Sequence, residues 1–181
     1  MAIIPNREQR VCIFIDIQNL YHSAKNLYDG RVNYKILVSH LVGGRRMIRA
    51  MAYVVKSDPT TGEESFFEAL TKEGIELRSK DIQVFSSGAK KADWDVGMAV
   101  DAIRMAELAD VIILVTGDGD FVPLVEYLKW GLGRGVEVAA FGRTTSSRLK
   151  ESADHFYDLE EVKGLVFKTF PKRRRQGSEE A

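Results

Sequence analysis

Five aspartates stand where a predicted strand ends or a predicted helix begins, and their positions suggest chemistry: Asp16, Asp93, Asp95, Asp118 and Asp120. The first closes the apolar run 11–15, and the last two follow the apolar run 111–115. If those runs are neighbouring strands, their terminal carboxylates lie side by side. They would repel by roughly 4 kcal/mol at about 4 Å and an effective dielectric of about 20. A fold that brings such groups together needs either raised pKa values or a bound cation.

The residue types in this acid set favour a hard divalent cation. Carboxylate oxygens suit Mg²⁺ above all, whereas softer metals prefer nitrogen or sulfur ligands. The three histidines, His22, His40 and His155, are scattered without ligand spacing, and Cys12 is the only cysteine. The sequence therefore predicts an Asp-only metal site at one edge of the fold.

Each of these residues also has a purely structural interpretation. Asp16 can simply start the turn after a strand, and Asp95 is of a type common in the first turn of a helix. Asp118 and Asp120 fit a helix N-cap, where an aspartate accepts hydrogen bonds from backbone amides. Asn19 can support Asp16 or cap the helix that follows. The sequence leaves both interpretations open, but the coincidence of these residues at one predicted edge of the sheet favours a metal site.

Other catalytic and binding motifs have weaker support. Asp118-Gly-Asp120 lacks the later acids of a calcium loop. Gly131-Leu-Gly-Arg-Gly135 lies between a predicted helix and a strand, which is the wrong order for a phosphate-binding loop. Ser146 and Ser147 have no base placed for them, so a hydrolase triad is not indicated.

Apolar runs alternate with helix-like segments along the chain, which predicts an α/β fold. The runs 11–15 and 111–115 are apolar on both faces, the pattern of strands in a parallel sheet covered by helices on both sides. In such sheets, active residues gather at the carboxyl ends of the strands, near the point where the strand order reverses. The aspartates are expected at that point.

Several segments carry more specific expectations, based on capping residues and hydrophobic periodicity. They are a helix capped by Asn33 and ended by Gly43-Gly44, a strand pair at 75–77 and 82–85, a polar loop at 86–91, a helix from 93 or 94 to 108, and a helix at 121–130.

Length and composition fit one domain. The chain has 181 residues, 45% hydrophobic and 29% charged, with a formal net charge of zero. The predicted domain covers residues 11–163, between an N-terminal extension (1–10) and a basic, flexible tail (164–181). No apolar run is long enough to cross a membrane and no secretory signal is recognisable, so a cytoplasmic location is expected.

The segments that carry the aspartates resemble the NYN domain family, specifically its LabA-like branch, which is related to the PIN nucleases. The matching segments are Phe14-Ile-Asp-Ile-Gln-Asn19-Leu, Lys91-Ala-Asp-Trp-Asp95-Val-Gly-Met-Ala-Val-Asp101, Val115-Thr-Gly-Asp118-Gly-Asp120-Phe-Val-Pro-Leu and Gly135-Val-Glu-Val-Ala-Ala-Phe-Gly142. They follow the order and spacing of the family over about residues 11–160. The Asp93-Trp94 pair departs from the glycine-containing form of the family, which leaves the role of Asp93 open.

The resemblance implies a three-layer α/β/α PIN-like fold and an acidic site that binds Mg²⁺ or Mn²⁺ and cleaves RNA, as an endoribonuclease does. The residues that match its catalytic, metal-binding acids are Asp16, Asp95, Asp118 and Asp120, with Asn19 and Asp93 supporting. Lys91 and Arg143 are the positive side chains expected to bind the RNA backbone. PIN-like domains often dimerise, so a homodimer is a further expectation.

Two other functions stay open on the sequence alone. A PIN-like domain can keep its acidic pocket and act as an RNA-binding, regulatory or scaffold protein without cutting. Mutually repelling carboxylates argue against a purely structural role. The same acids can also serve a phosphatase, and comparing a small phosphate ester with an oligonucleotide as substrates separates these functions.

Overall fold

The apolar run before Asp16 forms a central strand of the sheet. In the computed structural model, which describes residues 6–56, 63–81, 83–84, 90–91 and 94–168, this strand is β1 (Arg10–Asp16). Ile13 and Ile15 pack against one helical layer and Phe14 against the other, and all three are fully buried. Burial of each such side chain contributes roughly 1.5–3 kcal/mol. Because both faces of the strand are apolar, helices must cover both.

The described residues contain ten strands and six helices. The strands are β1 (Arg10–Asp16), β2 (Arg31–Val32), β3 (Arg46–Lys56), β4 (Ile75–Asp81), β5 (Gln83–Val84), β6 (Lys90–Lys91), β7 (Val111–Val115), β8 (Gly135–Ala140), β9 (His155–Asp158) and β10 (Val166–Phe167). The helices are α1 (Ile17–Tyr28), α2 (Tyr34–Val42), α3 (Glu63–Lys72), α4 (Asp95–Met105), α5 (Val122–Glu126) and α6 (Ser147–Ser152).

Six strands form one parallel sheet in the order β4-β3-β1-β7-β8-β9. From β1 the chain builds outward through β3 and β4, and later builds outward on the other side through β7, β8 and β9. The strand order therefore reverses between β1 and β7, where Ile15 lies opposite Val115. In a parallel sheet, this reversal opens a crevice at the carboxyl ends of the strands, where ligands bind.

Helices cover the two faces of the sheet in separate groups. Helices α1, α2 and α3 contribute buried residues such as Leu20, Leu37 and Leu70 to one face. Helices α4, α5 and α6 cover the other face with residues such as Met98 and Val125. The predicted three-layer α/β/α fold with a mainly parallel sheet is confirmed. No helix in the described ranges is long and apolar enough to span a bilayer.

Three helix boundaries show how capping residues set the local structure. The Asn33 side-chain oxygen accepts a hydrogen bond from the Ile36 amide (3.2 Å) at the start of α2, as predicted. Gly43 ends α2 in the left-handed conformation with a φ of 56°, where a side chain would be strained. Asp16 caps α1, so this helix begins at Ile17.

Four segments differ from the sequence predictions. The predicted polar loop 86–91 includes the strand β6 at 90–91, and the helix predicted to reach 108 ends at Met105. The strand predicted at 75–77 runs on to Asp81 and joins β3, and β5 pairs with β6 instead, so the predicted strand pair is wrong. The predicted helix at 121–130 is divided into a 3-10 turn (Gly119–Phe121), α5 and a π turn (Tyr127–Gly131). Short strands and helix irregularities depend on contacts distant in sequence, which hydrophobic periodicity does not reveal.

The folded part of the chain extends past residue 163. Leu165 is fully buried, and β10 pairs antiparallel with β2, where Val166 lies opposite Val32. Residues 164–168 therefore pack on the domain rather than forming part of a tail. The basic block 172–175 lies outside the described residues.

Candidate functional site

Asp16 lies half-buried at the carboxyl end of β1, where the strand order reverses. One carboxylate oxygen accepts a hydrogen bond from the Asn19 amide (3.0 Å), and the other accepts one from the Thr116 hydroxyl (3.2 Å). Thr116 follows β7 directly and is fully buried, so this bond joins the ends of two central strands. Each carboxylate oxygen can accept more than one bond, which leaves capacity for a further ligand.

The environment of Asp16 disfavours its negative charge. Burial raises the pKa of Asp16 above its ordinary value, and the nearby Asp118 carboxylate raises this pKa further. Hydrogen bonds from Asn19 and Thr116 lower the pKa but do not cancel the rise. Desolvation, followed by the Asp16 charge, also raises the pKa of Tyr34 at the start of α2. A cation beside Asp16 and Asp118 would offset this unfavourable electrostatic energy.

The loop after β7 carries the second part of the predicted acid set. Asp118 caps the 3-10 turn, and one of its carboxylate oxygens accepts a hydrogen bond from the Asp120 amide (2.9 Å). The Asp118 amide donates to the Thr116 hydroxyl (3.3 Å), so one threonine links this loop to Asp16. Asp120 is exposed on the same turn. Asp118 therefore has the capping role expected from the sequence, and this role uses one of its two carboxylate oxygens.

Asn19 connects the two acid-bearing loops. Its side-chain oxygen accepts a hydrogen bond from the Gly117 amide (2.9 Å), while its own backbone amide donates to Asp16. A single residue of α1 therefore orients the Asp16 carboxylate and also fixes the loop that leads to Asp118. This geometry gives Asn19 a positioning role.

A third loop packs on the acid-bearing loop, a contact that sequence reasoning misses. The Ser146 amide donates to the Gly117 carbonyl (3.0 Å), and a Cβ on Gly119 would lie 2.8 Å from the Ser146 hydroxyl oxygen. A Cβ on Gly117 would lie 3.1 Å from the Thr145 hydroxyl oxygen. Both glycines therefore provide the space that this packing requires. The only signal in the sequence is their placement beside Asp118.

Asp95 begins α4, and the residue before it fixes that end of the helix to the sheet. The Trp94 indole N–H donates to the Val54 carbonyl (2.8 Å), and the ring makes an edge contact with Tyr53 at a centroid distance of 5.5 Å. Gly97 leaves room for this ring, since a Cβ there would lie 2.7 Å from it. Tyr53 pairs with the last residue of β1. Trp94 therefore holds the start of α4 beside the central strand ends.

Three other residues belong to the segment 91–101, which resembles the NYN domain family: Asp101, Asp93 and Lys91. Asp101 accepts a hydrogen bond from the Tyr53 hydroxyl (3.0 Å) and pairs with Arg78 (3.5 Å), so it stabilises the packing of α4 on the sheet. Asp93 lies outside the described residues. Lys91 belongs to β6, but its side chain is also outside the described part of the chain. The roles expected for Asp93 and Lys91 stay predictions.

Arg143, expected to bind the RNA backbone, has intramolecular partners. Its guanidinium donates to the Glu160 carboxylate (2.8 Å) and to the Tyr28 hydroxyl (3.0 Å), and its backbone amide also donates to Glu160 (3.0 Å). The guanidinium lies 5.4 Å from the centroid of the Tyr28 ring. An RNA phosphate would compete with Glu160 for this cation, and substrate binding by Arg143 stays a prediction.

The oxygen atoms at this edge suit Mg²⁺ or Mn²⁺, although they do not form an all-protein cage. Within the described ranges, no group of three or more His, Cys, Asp or Glu side chains lies close enough to hold a metal ion. Asp16 and Asp118 are close enough for the Asp118 charge to raise the pKa of Asp16. Mg²⁺ commonly takes one or two carboxylates and completes its shell with water and substrate phosphates. The Asp16–Asp118 pair fits that kind of site, and Asp95 and Asp120 are not grouped with it.

Known proteins resemble this chain over most of its length. The chain is 26% identical over 174 residues to the Low amplitude and bright protein LabA of Synechococcus elongatus, and the match covers 90% of each chain. A crystal structure of a protein of unknown function from Vibrio parahaemolyticus superposes with a TM-score of 0.81 at 30% sequence identity. That match covers 91% of this chain and 100% of the other. The likeness therefore extends over nearly the whole chain.

The family model of the NYN domain matches residues 10–160. This span runs from the first residue of β1 to the turn after β9, and it contains all the predicted site residues. The chain belongs to the NYN domain family, as the segments around its aspartates predict.

Proposed function

We propose that this protein is a metal-dependent ribonuclease, an endoribonuclease that hydrolyses RNA phosphodiester bonds with Mg²⁺ or Mn²⁺. The observation that carries the proposal is the proximity of Asp16 and Asp118 at the ends of adjacent parallel strands, where the strand order reverses. Membership of the NYN domain family, which is a PIN-like nuclease family, supports the same chemistry. In the proposed site, Asp95 and Asp120 complete the acid set from α4 and the 3-10 turn.

The metal, when bound, would lower the pKa of a water molecule and neutralise charge on the scissile phosphate. Asp16 and Asp118 would hold it, and Asn19 and Thr116 would keep the Asp16 oxygens in place through their hydrogen bonds. Asp120, which is exposed, would orient the attacking water. In-line displacement would leave a 5′-phosphate and a 3′-hydroxyl.

The full-length protein is expected to cleave RNA in Mg²⁺ or Mn²⁺ and to lose this activity in excess EDTA, because two carboxylates alone would repel the phosphate. Gel electrophoresis of a 5′-labelled RNA measures the cleavage, and mass spectrometry identifies the ends. Cleavage that persists in EDTA would remove the metal from the mechanism. Hydrolysis of p-nitrophenyl phosphate but not of RNA would indicate a phosphatase.

A second candidate function is a PIN-like RNA-binding protein with a regulatory or scaffolding role and no catalysis. One observation favours it: in the part of the chain that the structure describes, no third acid joins Asp16 and Asp118. Under this function, pure protein saturated with Mn²⁺ would bind RNA and leave a varied set of RNAs uncut.

Trp94→Phe is expected to lower the rate of RNA cleavage about tenfold. Phenylalanine keeps the contact with Tyr53 but loses the hydrogen bond to Val54, at a cost of about 1 kcal/mol in stability. Asp95 is then held less firmly, and a loss of about 1.4 kcal/mol in transition-state stabilisation corresponds to a tenfold lower rate. The Mg²⁺ concentration for half-maximal cleavage, measured together with kcat, is expected to rise.

Trp130→Phe is the matched control. Trp130 is 83% exposed in the π turn that leads to the start of β8, at the opposite edge of the sheet. Its substitution is expected to change the cleavage rate less than twofold. Equal effects of the two substitutions would contradict a positioning role for Trp94.

A further inference from the structure

A cavity of about 320 Å³ lies at the same edge of the sheet, outside the acid-bearing loops. We propose that this cavity is a subsite that binds one nucleotide of the RNA strand. The base would enter the cavity, and the phosphates on its two sides would lie against Lys163 and Lys168. This inference rests on the proposed function, since it names where the substrate strand is held.

The interior of the cavity suits a planar, largely apolar ring. Phe141 and Leu159 are buried beneath it, Tyr28 contributes an aromatic wall, and Val162 and Val166 add aliphatic surface. Tyr28 and Phe141 are themselves in ring contact at a centroid distance of 5.9 Å. Small-molecule sites typically have volumes of about 300–1,000 Å³ and combine such walls with a few polar groups. The cavity is therefore large enough for one base.

The polar groups at the cavity give it a net positive charge. Glu160 is the one acid among the lining residues, and it accepts hydrogen bonds from Arg143 and from the Tyr28 hydroxyl (both 2.8 Å). Arg143 thus balances the Glu160 charge. Lys163 and Lys168 also line the cavity, and neither has an ion-pair partner among the described residues. Two lysines beyond the balanced pair favour an anionic ligand such as a phosphodiester.

The position of the cavity fits a strand that also passes the candidate active site. Phe141 follows β8 and Leu159 follows β9, and both strands run parallel to β1. Three strand spacings of about 4.8 Å separate β1 from β9, or about 14 Å. Helix α1, which follows Asp16 and ends at Tyr28, is about 18 Å long at 1.5 Å per residue. At about 3.4 Å per stacked nucleotide, the cavity lies roughly four to five nucleotides from the scissile bond.

The test measures binding of a 5′-fluorescein-labelled, twelve-nucleotide single-stranded RNA to the full-length protein by fluorescence anisotropy in EDTA. Lys163→Gln with Lys168→Gln is expected to weaken binding roughly tenfold at 0.1 M salt. It should also make the slope of log K against log salt concentration less steep by about 1.4, because two phosphate contacts are lost at about 0.7 each. Lys72→Gln, in the last turn of α3 at the opposite edge of the sheet, is the control and should leave affinity within twofold.

A second variant separates the cavity from a merely basic surface. Val162→Trp fills the cavity while keeping both lysines, and it is expected to weaken RNA binding at least fivefold, with folding checked by thermal unfolding. Wild-type affinity of a folded Val162→Trp protein would overturn the subsite. A second result would also overturn the subsite: adenosine monophosphate binds saturably, but neither variant changes the affinity for RNA. The cavity would then bind free nucleotides and not the RNA strand.

Binding and cleavage keep the two proposals distinguishable. If metal-dependent cleavage occurs but the cavity variants bind RNA as wild type does, the subsite fails and the ribonuclease function stands. If the variants weaken RNA binding but no RNA is cut, the subsite stands and the catalytic proposal fails. Absence of RNA binding by the wild-type protein in EDTA overturns the subsite, and absence of cleavage with Mg²⁺ or Mn²⁺ overturns the ribonuclease function.

Discussion

Asp16→Asn is expected to reduce metal-dependent RNA cleavage about a thousandfold while the protein stays folded. A bound metal contributes several kcal/mol of transition-state stabilisation, and about 4 kcal/mol corresponds to a thousandfold rate. Asparagine keeps the size of the side chain and can still cap α1, because its amide oxygen accepts the hydrogen bond from the Asn19 amide. The variant loses the charge, one strong metal ligand and the oxygen that accepts the Thr116 hydroxyl hydrogen bond. Single-turnover cleavage of a labelled RNA measures the effect.

The same substitution is expected to leave stability equal or higher at pH 7 without metal. Asp16 has a folded pKa above its ordinary value, which is about 3.9 in an unfolded chain. The stabilisation that Asp16 gives the folded protein is fully present at pH values below its unfolded pKa, and it is lost as the pH rises through its folded pKa. The Asp16→Asn variant has no carboxyl group at this position and therefore does not lose stability in this way. Urea unfolding in EDTA between pH 4 and pH 7 should therefore show a smaller decline for the variant than for the wild type.

Two comparisons make this prediction specific. Asp29→Asn is the same chemical change at the other end of α1, where Asp29 is exposed with a φ of 47° that asparagine also tolerates, so cleavage should stay within twofold. Addition of Mg²⁺ should raise the melting temperature of the wild type by mass action but not that of Asp16→Asn. Wild-type cleavage by folded Asp16→Asn would remove Asp16 from the catalytic site.

The features that the sequence predicts well are those with local signals. Each of the two strands that end at Asp16 and near Asp118 is a continuous apolar run followed by acids. Parallel topology then places their ends at one edge, and the structure confirms that β1 and β7 are neighbours. Asn33 and Gly43 mark the ends of α2 because capping depends on residue type and backbone conformation at one position.

The features that the sequence does not predict depend on contacts between distant segments. Nothing near Trp94 in the chain indicates a hydrogen bond to Val54, and nothing near Ser146 indicates packing on Gly119. The grouping of four acids depends on side-chain placement to within an ångström or two, which residue spacing does not determine. For this reason, the adjacency of two acids follows from the sequence, whereas the place of Asp95 and Asp120 stays a prediction.

Glu137→Gln is expected to lower the free energy of unfolding by about 3–5 kcal/mol, because it leaves a buried arginine without its counter-charge. Glu137 interrupts the apolar run of β8 and accepts two hydrogen bonds from Arg45, at 2.7 and 2.9 Å. The two residues are only 6% and 5% exposed. Arg45 also donates to the Leu41 and Val42 carbonyls, so its position is fixed independently of Glu137. Urea or thermal unfolding measures the loss, which for a chain of this size corresponds to roughly 6–20 °C in Tm.

Glu76→Gln provides the comparison that isolates burial. Glu76 also forms a two-bond pair with an arginine, Arg49, but their side chains are 46% and 37% exposed, so water screens the charges. Its substitution should cost less than about 1 kcal/mol. The double change Arg45→Met with Glu137→Leu removes both buried charges and is expected to be far less damaging than Glu137→Gln alone. Equal losses from Glu137→Gln and Glu76→Gln would show instead that the pairing, and not the unbalanced buried charge, determines the cost.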